Sequence, residues 1–361
     1  MKAECKLSNK KNGIDFIKKC YRTIPIHNPL LNFKLDTQNI EVRKDPLTGR
    51  ESRINIERAT RPKQVDNNLI DIRRFLQESV KDCPFCQGNI EVCTPKFQED
   101  LMNSGRMKLR QFTLFPNLYP FNKYHAVGIL TEDHFTDITA IKSENYQDCF
   151  RICNDFFHKV NAKDPDYIYP LISLNFLQPS GASFVHPHVQ ILIDSKPFEE
   201  TGLLIEKCLR YYKKKSRNYW EDLIKSEQEL GLRYIGDSGC VKWMASFAPR
   251  SNNEIIGIIK SKSSCLTELK NKEIDDLGKG LSKIFQGLSS LGLQSFNMNI
   301  YSGPLKREMR KYFLINLRII SRPNLRNMYT SDKGFMEILQ EEPIISSVPE
   351  EVSEKLKALF D

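Results

Sequence analysis

Two histidines and a glutamine are the residues of this chain that are best suited to chemistry. They occupy alternate positions of the run 186–190 (HPHVQ), which leads into an apolar segment ending near residue 193. Alternate side chains of a strand share a face, so His186, His188 and Gln190 are predicted to face one site. Imidazole can bind a metal or act as a nucleophile, and an amide can hold a phosphate oxygen or orient the ring. The pattern therefore predicts phosphoryl or nucleotidyl chemistry.

Metal binding is a second prediction, and it starts from Cys83 and Cys86. Their two-residue spacing lets both thiolates grip one tetrahedral cation, although the pair alone also fits a redox pair or coincidence. His134 and His186 are the candidates for two further ligands, which would make a Cys2His2 zinc site and leave His188 free for chemistry. The alternative for His134 is an ordinary loop or helix-start histidine.

Basic residues suggest sites for anions. Arg58 and Arg61 are three positions apart, a spacing that suits convergence on one phosphate if the segment turns, and a solvated basic stretch is the alternative. The run 210–217 (RYYKKKSR) is interpreted as the solvated face of a helix, because no nucleic-acid recognition module accompanies it.

Composition narrows the class of protein. The 361 residues are 40% hydrophobic and 27% charged with a formal net charge of +9, which predicts a folded chain with an anionic partner. No apolar run reaches the roughly 18 residues of a membrane span, and the first residues lack the pattern of a secretory signal. We therefore expect a cytoplasmic protein without a membrane partner, whose ten cysteines are mostly reduced.

Periodicity predicts an α+β fold with two halves of similar element order. The chain is expected to open with a helical or irregular lead-in over residues 1–35. Strands are predicted near 112–114, 125–130, 169–175, 189–194, 241–247, 255–260, 296–302 and 312–320. Helices are predicted near 142–159, 197–232 and 272–288 and from residue 350. All six histidines lie in the first 190 residues, so histidine chemistry is assigned to the N-terminal half.

In the order of its motifs the chain resembles the galactose-1-phosphate uridylyltransferase family of the histidine-triad superfamily. The motifs of the N-terminal half are 45–50 (DPLTGR), 57–62 (ERATRP), 83–89 (CPFCQGN), 115–120 (FPNLYP), 132–134 (EDH), Asn175, 181–183 (GAS) and 186–190 (HPHVQ). The C-terminal half contributes 248–250 (APR), 334–335 (GF) and 348–351 (VPEE).

The resemblance implies two tandem histidine-triad-like domains, each an antiparallel sheet with packed helices. Their expected bounds are a catalytic domain with a zinc knuckle over 1–196, a helical connector over 197–233 and a second domain over 234–361. The implied reaction is a ping-pong transfer in which a histidine takes a nucleoside monophosphate from a nucleotide sugar and passes it to a sugar 1-phosphate. A homodimer is implied by the resemblance alone.

The resemblance also assigns roles to residues. His188 is the nucleophile, and Gln190 hydrogen-bonds the phosphoryl oxygen. The implied nucleotide and phosphate ligands are Arg58, Arg61, Asn117, Asn175 and Ser183. The implied zinc ligands are Cys83, Cys86, His134 and His186, so that the metal would fix the direction of His188.

Departures from the family pattern affect the substrate more than the nucleophile. Val189 replaces a frequent glycine, and 51–53 (ESR) stands where a tryptophan is common. The strand that carries metal-binding histidines in some members reads Asn316-Leu317-Arg318, so no second metal of that kind is expected, and Glu337 is a loose match to a sugar-contacting residue. UDP-glucose and a hexose 1-phosphate are the leading substrates. The alternatives are a phosphorylase or adenylyltransferase using an adenine nucleotide, a hydrolase, and a zinc-stabilised nucleotide-binding module without turnover.

Overall fold

A computed structural model describes residues 5–62, 72–326 and 330–360 of the chain. Its strands are β1 (Cys5–Lys11), β2 (Ile14–Arg22), β3 (Ile26–Asn28), β4 (Lys34–Asp36), β5 (Asn39–Lys44), β6 (Glu51–Ile54), β7 (Met107–Leu109), β8 (Phe112–Pro116), β9 (Tyr124–Ile129), β10 (Tyr169–Phe176), β11 (His188–Asp194), β12 (Tyr234–Ser238), β13 (Val241–Ala245), β14 (Ile255–Ile259), β15 (Ser295–Tyr301), β16 (Asn316–Arg322) and β17 (Ile344–Ile345). Its helices are α1 (Ile72–Val80), α2 (Ile90–Cys93), α3 (Ser143–Lys163), α4 (Glu199–Lys215), α5 (Tyr219–Leu230), α6 (Asn271–Ser290), α7 (Phe335–Leu339) and α8 (Pro349–Lys357). The predicted α+β class is confirmed.

Ten of these strands form one antiparallel sheet in the order β12-β13-β14-β16-β15-β10-β11-β9-β8-β7. The N-terminal half supplies β7 to β11 and the C-terminal half supplies β12 to β16, and the halves meet where β10 pairs with β15. Ser173 of β10 pairs with Asn299 of β15 at this seam. On the neighbouring strands, Ser173 pairs with Gln190 of β11, and Asn299 pairs with Arg318 of β16. The two halves therefore repeat one strand order about the centre of a continuous sheet.

The two faces of this sheet have different residues. Side chains such as Ile172, Leu174, Val189 and Ile191 point into the main core, where the long helices α3 and α6 also pack. Because strand residues alternate between faces, the polar residues between them point to the opposite face. That opposite face carries His188 and Gln190.

The sequence-predicted strands and helices after residue 100 are present, with ends displaced by a few residues. The largest displacement is in the strand predicted over 312–320, which forms over Asn316–Arg322. Helices α4 and α5 occupy the segment expected to be a helical connector, while the domain bounds at 196 and 233 stay a prediction. Among the described residues, no helix is both long enough and apolar enough to cross a membrane.

The expected helical or irregular lead-in is wrong for the residues described before position 35. Strands β1 and β2 form a hairpin whose turn residues Asn12 and Gly13 both have positive φ, 47° and 89°. Asn-Gly is the residue pair that this hairpin turn favours, because both positions need the left-handed region. Ile14 and Phe16 are buried, with the Phe16 ring packed against Phe247. β1 and β2 join β5, β6 and β17 in a second sheet, and β3 pairs with β4.

Candidate functional site

His188 is the first residue of β11, and its side chain is buried. Its ring Nδ1 lies 2.8 Å from the backbone oxygen of His186. A carbonyl only accepts, so Nδ1 carries the proton and Nε2 keeps its lone pair. Burial lowers the pKa of His188, although the bond to the His186 carbonyl opposes this, so the ring stays neutral near pH 7. His188 is therefore a neutral imidazole whose Nε2 can act as the nucleophile.

Gln190 is two residues after His188, so its side chain lies on the same face of β11. It contacts His125 of β9 and Asn117, which follows β8. Its Oε1 is 2.7 Å from Nε2 of His125 and 3.2 Å from Nδ2 of Asn117. Within the part of the chain that the structure describes, Gln190 Nε2 has no hydrogen-bond partner. The amide of Gln190 therefore uses its oxygen inside the protein and keeps its NH2 group as a donor.

Asn175 follows Leu174, the residue that pairs with Val189, so it lies opposite His188 in the sheet. Its Oδ1 accepts a hydrogen bond of 2.7 Å from Nδ2 of Asn297 on β15. The Oδ1 of Asn297 in turn accepts from Arg322, at 2.9 Å. Asn175 therefore also has its oxygen occupied and its NH2 group left as a donor, and the C-terminal half of the chain fixes that orientation.

The four predicted metal ligands lie together beside the start of β11. The Sγ atoms of Cys83 and Cys86 and the ring nitrogens of His134 and His186 are all within 4.8 Å of one another. Cys86 Sγ is 3.2 Å from Nδ1 of His134 and 3.9 Å from Nδ1 of His186, and Cys83 Sγ is 3.8 Å from Nδ1 of His186. Tetrahedral zinc with bonds of about 2.3 Å to sulfur and about 2.0 Å to nitrogen separates its ligand atoms by about 3.5 Å, so the cluster fits such an ion.

The ring nitrogens of His134 and His186 that face away from the thiols also have hydrogen-bond partners. Nε2 of His186 donates to the backbone oxygen of Thr131 at 2.7 Å, and Nε2 of His134 is 2.8 Å from the Ser79 hydroxyl. The bond to Thr131 fixes the tautomer of His186 so that Nδ1 faces the thiols with its lone pair, as metal-binding histidines require. Burial lowers the pKa of His186 to about 4, which keeps this ring neutral.

The thiol of Cys86 depends on a cation for its ionisation. Burial raises the pKa of Cys86 to about 11, and the neighbouring Cys83 adds to the increase. A bound divalent ion reverses this balance because it deprotonates a thiol that coordinates it. The donor set of two thiols and two neutral imidazoles therefore suits a structural metal.

Phe85 connects the cluster of Cys83, Cys86, His134 and His186 to His188. This residue lies between the two cysteines in sequence, and its buried ring is 5.4 Å from the His188 ring, measured between centroids. It also packs against Phe115 and Phe184. The cysteine segment is thereby in contact with both histidines of the 186–190 run.

Comparison with known proteins shows the fold. No protein-family model matches the chain, and an uncharacterized protein of Archaeoglobus fulgidus is 27% identical over 94% of this chain and 98% of its own length. An ADP-glucose phosphorylase from Arabidopsis thaliana, solved with bound ADP-glucose, superposes with a TM-score of 0.69 at 21% identity, over 88% of this chain and 98% of that one. A uridylyltransferase structure gives 0.64 at 19% identity with the same coverage. The chain has the uridylyltransferase fold. The fold expected from the sequence resemblance is thus confirmed.

On this uridylyltransferase fold the two predicted phosphate-binding arginines line a cavity of their own. Arg58 and Arg61 are exposed, and they line a cavity of about 610 Å³ together with Arg322 and Arg326. Neither His188 nor Gln190 lines that cavity. A role for Arg58 and Arg61 in phosphate binding stays a prediction.

A cavity of about 490 Å³ lies on the His188 face at the seam of the uridylyltransferase fold. Ser173 and Asn175 line it from the N-terminal half, and Asn299 and Arg318 line it from the C-terminal half. Arg318 is buried, and its Nη1 forms an ion pair of 2.8 Å with the buried Glu254. This cavity adjoins Gln190, because Ser173 is the strand partner of Gln190.

Two other predicted residues have different surroundings. Ser183 is exposed in the turn before β11, where its hydroxyl has no hydrogen bond to the described residues. Glu337 lines both cavities and accepts the backbone N–H groups of Gly334 and Ile344, at 2.8 and 3.0 Å. The contacts of Glu337 to substrate stay a prediction.

Sequence reasoning gave no role to His125, Thr131 or Asn297, which hold the predicted site residues in place. His125 had one signal, its position in a predicted strand close to Asn117. The contact of Asn297 with Asn175 joins residues more than 100 positions apart, and only the pairing of β10 with β15 brings them together.

Proposed function

We propose that the chain is a nucleotidyltransferase that forms a covalent nucleotidyl-histidine at His188. The supporting observation is the arrangement around one imidazole: Nδ1 of His188 is occupied by a carbonyl, Nε2 keeps a lone pair, and the amides of Gln190 and Asn175 keep NH2 groups as donors on the same face. A nucleophile beside donors that would hold phosphoryl oxygens suits attack at phosphorus.

The proposed reaction has two displacements at one phosphorus atom. In the first, Nε2 of His188 attacks the α-phosphorus of a nucleotide sugar; the P–N bond forms, the bond to the bridging oxygen breaks, and sugar 1-phosphate leaves with the electron pair. In the second, a phosphate oxygen of the acceptor attacks the same phosphorus, the P–N bond breaks, and His188 returns to its neutral form. The phosphoramidate passes the group on because imidazole is a good leaving group once it is protonated.

The remaining residues are proposed to bind or orient. Gln190 and Asn175 donate to the oxygens of the phosphoryl group in transfer, and Ser183 holds a phosphate. Asn117 contacts the nucleotide, and Arg58 and Arg61 neutralise the diphosphate. Zinc held by the four-ligand cluster would supply structural rigidity. Because His186 is one of its ligands and also accepts the Nδ1–H of His188 through its backbone oxygen, the cluster would fix the direction of the nucleophile.

The proposed substrates are UDP-glucose and a hexose 1-phosphate. The structural similarity to an ADP-glucose phosphorylase supports a second candidate. In this candidate an adenine nucleotide is the donor and inorganic phosphate is the acceptor. Both candidates share the His188 intermediate and differ in the base and in the acceptor.

Intact-protein mass spectrometry after incubation with single nucleotide sugars tests the proposal. The native chain is expected to gain the mass of one nucleoside monophosphate, which also identifies the base. His188→Ala should form no adduct, and its unfolding temperature should equal that of the native chain. His158→Ala, which changes an exposed histidine, should form the adduct at the native rate. Release of the group by labelled sugar phosphate, inorganic phosphate or water would identify the acceptor. An adduct on His188→Ala, or none on the native chain with any nucleotide sugar, would refute the proposed function.

A further inference from the structure

We propose that His125 is a positioning residue that fixes the amide orientation of Gln190. This inference rests on the proposed function, because it concerns which end of the amide meets the phosphoryl group. The NH2 and carbonyl ends of a glutamine amide have nearly the same shape but opposite hydrogen-bonding character. A phosphoryl oxygen is stabilised by the NH2 end and repelled by the carbonyl end. The orientation of Gln190 therefore decides whether this residue helps or hinders the transfer.

Asn117 defines the orientation from one side. The backbone N–H of Tyr119 donates to Oδ1 of Asn117 at 2.8 Å. A backbone N–H is always a donor, so the oxygen of Asn117 must face Tyr119 and its Nδ2 must face Gln190. Since Nδ2 of Asn117 is a donor, the end of Gln190 that lies 3.2 Å away must be the oxygen.

His125 supports the same orientation through a second backbone group. The backbone N–H of Phe121 points at Nδ1 of His125 at a distance of 3.4 Å, which makes Nδ1 the acceptor nitrogen of the ring. Nε2 then carries the proton and donates to Oε1 of Gln190 at 2.7 Å. Nδ2 of Asn117 is 3.1 Å from this nitrogen, and because a protonated Nε2 cannot accept, Nδ2 donates to Oε1 of Gln190 and not to the ring. The ring is held in place by Phe121, whose centroid is 4.3 Å away.

The backbone N–H groups of Tyr119 and Phe121 therefore orient Asn117 and His125 so that both side chains donate to Gln190. Both hydrogen bonds end on Oε1 of Gln190 and occupy its two lone pairs, which leaves Nε2 directed away from them. Loss of His125 would remove the shorter of the two bonds and leave the amide held by the 3.2 Å bond from Asn117 alone, which weakens the preference for this orientation. His125 would then affect the reaction only through Gln190, which is the property that an experiment can isolate.

The test is a double-mutant cycle on the first-order rate constant of adduct formation at saturating nucleotide sugar. Removal of one donor to a developing oxyanion slows a reaction about 10²-fold to 10³-fold, so Gln190→Ala is expected in that range. His125→Leu should be at least about 10-fold slower than the native chain, within the same limit. His125→Gln should stay within about threefold, because a glutamine nitrogen can replace Nε2 as donor. In the Gln190→Ala background, His125→Leu should cause no further loss.

A second variant covers the case in which His125→Leu does not fold. His125→Phe keeps an aromatic ring against Phe121 but has no donor for Oε1 of Gln190. It should slow adduct formation in the native background and leave the rate unchanged in the Gln190→Ala background. Thermal unfolding measured on each variant identifies loss of fold.

Three outcomes would overturn the inference: a native rate for folded His125→Leu, equal losses with and without Gln190, or no rescue by His125→Gln. Each of these still leaves an adduct on the native chain and so leaves the proposed function standing. Absence of an adduct on the native chain, by contrast, would refute the proposed function itself.

Discussion

At the scale of single residues, hydrogen bonds set the chemical character of the site. Gln190 and Asn175 each have an amide oxygen occupied by the protein and an NH2 group left as a donor. His188 has Nδ1 occupied, and its Nε2 has no hydrogen-bond partner among the residues that the structure describes. Each of these side chains has two ways to bond, and the neighbouring groups select the one that suits an anionic ligand.

The cysteines of the metal cluster give a prediction at this scale. Cys83→Ser should lower the bound metal to well below one ion per chain and should lower the unfolding temperature, because a structural zinc site contributes directly to folding. Metal content by inductively coupled plasma mass spectrometry and thermal unfolding would measure both effects. Cys93→Ser, which changes an exposed cysteine of the same segment, is the matched control and should change neither. A Cys83→Ser protein with full metal content would contradict the assignment.

At the scale of elements, the packing of α3 against α6 supports the sheet from behind. Gly278 of α6 lies where a Cβ atom would be 2.8 Å from the backbone oxygen of Ser143, at the start of α3. Such a distance is too short for contact between a methyl group and backbone. A glycine therefore lets the two helices approach closely behind the strands that carry His188 and Asn175.

Gly278→Ala tests this close approach. Alanine gains about 1 kcal/mol over glycine in a helix, but overpacking costs about 1 to 3 kcal/mol. We expect the collision with backbone to prevail and the free energy of unfolding to fall by about 1 kcal/mol. Urea denaturation would measure it, with Lys279→Ala at the next, exposed position expected within about 0.5 kcal/mol of the native chain. A more stable Gly278→Ala protein would show that the helices can move apart at no cost.

At the scale of the whole molecule, a partly buried carboxylate joins distant parts of the chain. Glu350 of α8 accepts two hydrogen bonds of 2.9 Å from Arg43 of β5 and one of 2.9 Å from Arg233, just before β12. Arg43 and Arg233 also lie over the ring of Phe247, at 5.1 and 5.0 Å from its centroid. The second sheet, the C-terminal half and the last helix therefore meet at one carboxylate.

This junction should make stability depend on pH. Burial alone raises the pKa of Glu350, but hydrogen bonds and charge from Arg43 and Arg233 lower it to about 2. A carboxyl whose folded pKa lies below its ordinary value of 4.5 stabilises the fold above pH 4.5, and that stability is lost as the pH falls from 4.5 towards 2.

Glu350→Gln should lower the free energy of unfolding at pH 7 by about 2 kcal/mol, because Arg43 and Arg233 lose their charge-assisted hydrogen bonds to this carboxylate. They keep their ion pairs with Glu41 and Glu227. Glu350→Gln should also make stability less dependent on pH between 4.5 and 2. Chemical denaturation over this pH range would measure both effects, and Glu351→Gln, at an exposed position of the same helix, serves as the control. Equal pH profiles for Glu350→Gln and the native chain would remove Glu350 as the cause.

The amino-acid sequence by itself determined the features that depend on neighbours along the chain. The alternation of His186, His188 and Gln190, the spacing of Cys83 and Cys86, and most strands and helices after residue 100 follow from strand and helix periodicity. Recognition of the ordered motifs added the uridylyltransferase fold. The Asn12-Gly13 turn is an equally local signal for the hairpin of β1 and β2, and the prediction of a helical or irregular lead-in leaves this signal out.

Only the tertiary structure decided which distant residues meet. The order and register of strands in the ten-stranded sheet place His125 against Gln190 and Asn297 against Asn175, and no local periodicity contains that register. The same is true of Arg58 and Arg61, whose spacing suits a phosphate but whose cavity is formed by the far end of the chain. Local geometry fixes the direction of a side chain within its element, whereas its partners depend on how the elements pack.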